Sequence, residues 1–154
     1  MEMPKPTDAH HRLQILAGTW QGEEKMFPSP WVPKGGSAVG RINNRLALDG
    51  FAVVQDYEQL QGGVVNFRGH GIFTWDPALQ LYLLYWFDSM GMGQNIFRGS
   101  FNEKTLTLTS QSPQGHTRAS WEITSDNTYF HRMEVSGDGN LWQTMMEGTY
   151  SRIG

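Results

Sequence analysis

The sequence predicts an all-β fold: a single antiparallel up-and-down β-barrel of about ten strands, with a short N-terminal helix closing one end. Three observations point there. Short apolar runs recur at even spacing, each bounded by turn residues. The 154 residues include 18 glycines and six tryptophans, a mix of tight turns and large apolar side chains. No second helical segment is long enough for a βαβ crossover, which a parallel sheet requires. A meander of this length leaves two open edges unless it closes on itself, so a barrel follows.

The elements are read in chain order within one domain spanning 1–154. Pro6-Thr7-Asp8 starts a helix over residues 7–17. Thr7 or Asp8 is its N-cap, Leu13 and Leu16 share its inner face near Ala9, and Gly18 ends it. Two or three turns do not hold alone, so this helix lies against something apolar. Strands then fill residues 19–152. "TWQGEEKMF" precedes the proline-rich loop "PSPWVPKGG". "SAVGRINNRLAL" meets "FAVVQDYEQL" across Asp49-Gly50, a strong short hairpin signal. Further turns fall at Gln61–Gly63, Asp76–Ala78, "SMGMGQ", Asn102-Glu103, Pro113–Gly115, Ser125–Asn127 and Ser136–Asn140.

Two strands bear on which face looks inward. From Val65 to Trp75 one parity carries Val65, Phe67, Phe73 and Trp75, the other Asn66, Arg68, His70 and Thr74. The simple reading puts the aromatic parity inside. The inverted reading, with Arg68 and His70 in a polar lumen, stays open at this stage. The segment Leu79–Phe87 carries apolar residues on both parities, which implies that both faces are covered. One covers the lumen; the N-terminal helix or a second subunit meets the other, so a homodimer is an open expectation.

Several function classes are excluded or disfavoured. The chain has no cysteine, which removes disulfides, thiolate metal sites and cysteine nucleophiles. A formal charge of −3 provides no basic field for nucleic acid. The longest apolar run, "LYLLYWF", is too short for a helical membrane span, and the first residues lack a signal-peptide pattern. A cytoplasmic address is expected. "GMGQNI" fails as a dinucleotide loop: Ile96 stands where a third glycine belongs, and a strand follows where the pyrophosphate needs a helix N-terminus. His10 and His11 are adjacent and point apart, and no H-E-x-x-H occurs, so no metal site is assigned. There is no G-x-S-x-G elbow, and no catalytic residue is assigned.

What remains is a pocket for a small hydrophobic or amphipathic molecule. Its candidate lining residues are Trp20, Arg68, His70, Trp75, Tyr85, Asp88, Met90, Trp121, His131 and Met145. Asp88, His70, Arg68 and His131 are its candidate polar anchors. Asp88 follows a long apolar run, where burial would raise its pKa or demand a partner; the alternative is an Asx-type turn. Binding without catalysis is the first expectation. The alternatives are an enzyme using a carboxylate or histidine of the same lumen as acid or base, and a filled barrel serving as a dimerisation module.

"LAGTWQGE" (Leu16–Glu23) resembles the first strand of the calycin group, which includes lipocalins, fatty-acid-binding proteins and nitrobindin-like haem barrels. The longer run "PSPWVPKGGSAVGRINNRLALDGFAVVQDYEQ", with "FRGHGIFTWD" and "YWFDSMG", resembles the bacterial domain-of-unknown-function family 1579 across nearly the whole chain. That resemblance implies a calycin-like barrel and supplies no activity. Kinship with nitrobindin-like barrels implies haem or an apolar ligand. The last strand here, "LWQTMMEGTYSR", has no histidine for a haem iron, so a transferred haem site needs His70 or His131 instead. No cofactor is assigned.

Overall fold

The computed structural model describes residues 1–30 and 32–154. Trp31, within the expected proline-rich loop, lies outside the described residues. A short helix α1 (Asp8–Leu13) runs into a 3-10 turn at Gln14–Leu16, one residue short of the expected span at each end. Ten strands follow: β1 (Gly18–Met26), β2 (Gly36–Ala47), β3 (Ala52–Gln61), β4 (Val64–Asp76), β5 (Leu81–Asp88), β6 (Asn95–Asn102), β7 (Thr105–Ser112), β8 (Gly115–Ser125), β9 (Thr128–Ser136) and β10 (Gln143–Arg152). Each pairs antiparallel with its neighbours in sequence, and β1 pairs with β10 to close the barrel.

Turn chemistry sets the registers. Gly62 and Gly63, both at positive φ, make the two-residue turn that joins Gln61 to Val64. At Asp49-Gly50 the expected hairpin forms, but through four residues, Leu48 to Phe51, between the last β2 and the first β3 residue. Leu48 and Asp49 both take left-handed φ there.

The closed end holds the dry core. Trp20, Phe73, Leu106, Leu108 and Tyr129 are each at most 1% exposed, and Leu13 and Leu16 press into them from below. Thr7 is the N-cap, and its N–H donates to His10 Nδ1 at 3.0 Å. The Tyr82 hydroxyl donates to Ala9 O at 2.8 Å, and Trp20 Nε1 and Asn44 Nδ2 both donate to Leu16 O. These bonds tie α1 and its 3-10 turn across the opening. At the same end Arg152 donates to the carbonyl of Ala17 and lies over the Trp20 ring at 4.2 Å.

The outer face of β5 is not where the helix packs. α1 meets β3 and β4 at the barrel end, and its bond to β5 uses inward-facing Tyr82. The outward residues of β5 instead join an apolar row across four strands, Val54, Ile72, Tyr85 and Ile96, by register. Leu83 is buried in that face, and Phe87 is 46% exposed.

Candidate functional site

Strand parity decides which side chains enter the barrel. With Trp20 inside, period two carries Gly22, Glu24 and Met26 inside as well. Register then extends the inward set to Ile42, Tyr57, Gly69 and Asp88, and to Trp86, Asn95, His131 and Gly148. The aromatic parity of β4 is thus the inward one, as the simple reading expects.

The two halves of this interior differ. Inward residues near α1 are mostly sealed, with Trp75 and Phe101 half-buried at the edge. Toward the opposite mouth, Tyr57, Phe67, Trp86, Asp88, Asn95, Thr117, His131, Met133 and Val135 are half-buried and keep solvent contact, among buried Ala38, Gln59 and Ser110. Side chains that point into a barrel and still touch water line a cup open at its mouth. Glycines make the room. A Cβ on Gly69 or Gly71 would overlap the Trp86 indole, and one on Gly40 would overlap the Glu24 carboxylate and the Tyr150 ring.

The floor of the cup is a polar cluster around Glu24, which is 1% exposed. The Tyr57 hydroxyl lies 2.7 and 2.9 Å from its two oxygens, and Gln59 Nε2 donates to Oε1 at 3.0 Å. The Tyr150 hydroxyl donates to Oε2. Every partner is a neutral donor, the arrangement that holds a carboxylate out of bulk water. Burial and the neighbouring Glu24 charge push the phenols of Tyr57 and Tyr150 far above the ordinary tyrosine value. They stay protonated and donate.

His131 stands on the adjoining wall, its ring 4.9 Å from Trp121 and 6.5 Å from Tyr150. Its Nδ1 is 2.9 Å from Ser120 O, a carbonyl, so Nδ1 carries the proton. Burial lowers its pKa to about 4, so the ring is neutral near pH 7. Nε2 is then an acceptor facing the lumen, with no protein partner among the described residues.

The sequence-predicted site residues separate into four groups. His131 lies in the cup wall, Trp121 is inward but buried in the core, 5.4 Å from the Phe73 ring, and Asp88 faces inward at the rim. There its Oδ2 accepts from Trp86 Nε1 at 2.9 Å and Oδ1 from the Met90 N–H at 3.0 Å, the expected turn cap. Trp20 and Trp75 belong to the closed end, the Trp75 ring tilted against Tyr82 at 4.6 Å. Arg68, His70 and Tyr85 point outward: Arg68 pairs with Glu58, and His70 Nδ1 lies 2.7 Å from Asp56. Arg68 and His70 therefore do not anchor anything inside the lumen, because register puts their parity on the solvent face. Of the two histidines considered for a haem iron, only His131 faces inward. Met90 is 53% exposed on the mouth loop, and Met145 is skipped at the β10 bulge between Thr144 and Met146.

Glu24, Tyr57, Gln59 and Tyr150 escape the sequence reading. Glu24 was readable, since its parity is that of Trp20. The inward glycines Gly40, Gly69, Gly71 and Gly148, inside strands where glycine weakens pairing, are the second signal.

A groove of about 740 Å³ crosses β1 between Arg41, Glu23, Lys25 and Glu147. A second of about 440 Å³ lies beside Asp56, Glu58 and Arg68. Both open on the charged outer face, and the larger also reaches inward-facing Glu24, Ala38 and Gly148 and the Leu60–Gly63 turn at the mouth end. Among the described residues, no group of three or more His, Asp or Glu side chains is arranged to hold a metal ion, and no helix is long and apolar enough to cross a membrane.

Comparison with solved structures gives the same architecture. The crystal structure of Rv2717c from M. tuberculosis superposes with a TM-score of 0.73 at 12% identity, covering 96% of this chain and 99% of that one. The S-type phycobiliprotein lyase CPES from Guillardia theta superposes with a TM-score of 0.64 at 8% identity, covering 97% and 99%. At these identities the likeness is one of fold. No match was found among curated proteins. A family model described as "Protein of unknown function (DUF1579)" matches residues 5–152, and with its sequence motifs and ten-stranded calycin-like barrel, the chain belongs to that family.

Proposed function

We propose that this protein binds a small, partly apolar molecule in the cup of its barrel and does not transform it. The observation that carries this reading is the contrast between the barrel's two halves. One is sealed by Trp20, Phe73, Leu106 and the helix. The other keeps inward aromatic and methionine side chains in contact with solvent, above a structured polar floor. Apolar walls with a few fixed polar groups are the common design of small-molecule sites. The same fold is found in a phycobiliprotein lyase, and we take that likeness as further support for a small-molecule site.

Binding is favoured over catalysis by the titrating groups in the cup. An acid–base catalyst is tuned toward the working pH. Here His131 is pushed down to about 4, and Tyr57 and Tyr150 are pushed up. Native mass spectrometry of protein purified from its source tests the proposal. A retained small molecule is expected, lost or weakened in Trp86→Ala. Retention unaffected by changes at Trp86 and Met133 would place the molecule outside the cup.

A further inference from the structure

We propose that the ligand of this cup is a cation, an amphipathic amine whose ammonium head sits at the floor beside Tyr57 and whose apolar part runs up past Trp86 and Met133. The inference rests on the cup being the ligand site and names the chemistry it selects.

The first support is charge. Two carboxylates face the cup, Glu24 at its floor and Asp88 at its rim. All four ion pairs among the described residues, Arg68–Glu58, His70–Asp56, Arg118–Glu134 and Arg132–Glu147, lie on outward parities. Among the described residues, the one Lys or Arg on an inward parity is Arg152, at the closed end and committed to backbone carbonyls there. His131 is neutral and supplies no positive charge. A buried carboxylate satisfied only by neutral donors still leaves an uncompensated negative charge, which a bound cation neutralises.

The second support is hydrogen-bond polarity. Three protons, from Tyr57, Tyr150 and Gln59, meet Glu24, whose two oxygens offer about four acceptor positions. The Tyr57 hydroxyl oxygen is itself occupied, accepting from Gln59 Nε2 at 3.2 Å, so the acceptor left at the floor is the remaining position on Glu24. His131 Nε2 is a second acceptor. A head group rich in N–H donors is matched by these groups. An anionic head meets negative charge, with the Tyr57, Tyr150 and Trp86 donors already used.

The third support is aromatic. The rings of Tyr57 and Phe67 lie 6.0 Å apart, and those of Tyr57 and Trp86 6.4 Å apart. Ring faces grouped at the end of a pocket attract a cation through their quadrupoles.

The test is a titration at pH 7, followed by tryptophan fluorescence and calorimetry, with decylamine, decanol and decanoate, each below its aggregation threshold. The expected order is decylamine tightest, by about tenfold over decanol, and decanoate weakest. Glu24→Gln should remove most of the decylamine advantage over decanol. Trp86→Leu, which spares the floor, should weaken decylamine more than decanol. Decanol or decanoate binding as tightly as decylamine to the wild-type protein overturns the cation assignment, as does a preference that survives Glu24→Gln. The wild-type order stands as a test even if the Glu24 variant does not fold. Failure of all three probes to bind counts instead against the cup as a ligand site.

Discussion

Glu24 is the residue on which most of the interior polar order converges. Removing an acceptor that holds three donors strands groups worth about 1–3 kcal/mol each when buried. Glu24→Ala is therefore expected to destabilise the fold by about 3 kcal/mol or more. Glu24→Gln keeps one oxygen acceptor and should cost less; urea unfolding measures both. His131 makes a pH prediction. Its folded pKa of about 4 lies below the unfolded value of about 6.5, so the unfolded chain binds more protons between them. The contribution of His131 to stability is present above pH 6.5 and is lost as pH falls toward 4. His131→Gln should flatten that part of the urea-midpoint profile relative to wild type. At this scale the sequence was partly legible. His131 and Asp88 were readable as inward candidates, but Arg68 and His70 were separable from them only by choosing a parity. Glu24 was obscured because an acidic residue next to another looks solvated until Trp20 fixes the strand's inner face.

Among the elements, hairpins and glycines carry the geometry. Gly99 has no room for a side chain: a Cβ there would overlap the backbone of Thr107 on the paired strand. Gly137 faces open space at an ordinary φ. Gly99→Ala is expected to lower stability by about 2 kcal/mol or more, and Gly137→Ala by about 0.5 kcal/mol at most. Thermal denaturation of the pair makes the comparison. Leu16, 1% exposed under the barrel, should cost about 2–5 kcal/mol when cut to Ala, showing that the helix is part of the core. Strand number and most turn positions were readable because Gly, Asp, Asn and Pro punctuate the apolar runs. The four-residue link at Leu48–Phe51 and the bulge beside Met145 were not, because both depend on how neighbouring strands meet.

The whole molecule is held by a pairing that local sequence cannot show, β1 against β10, from Trp20↔Arg152 to Met26↔Met146. Closure removes the sheet edges. Deleting Tyr150–Gly154 takes away part of that seam, the Tyr150 donor and the Arg152 contact with Trp20. The truncated chain is expected to lose its cooperative unfolding transition and to aggregate, as gel filtration and circular dichroism would show. Closure also divides the interior into a sealed end and an open cup. The most direct test of that division is an amide and indole NMR titration with decanol, a neutral probe that asks only where an apolar molecule goes. Shifts confined to the Trp86 indole, Gly69, His131 and Met133, with Phe73 and Leu106 unmoved, are predicted. Shifts centred on the outer groove of Arg41 and Glu147, or none at the cup residues, would contradict the account.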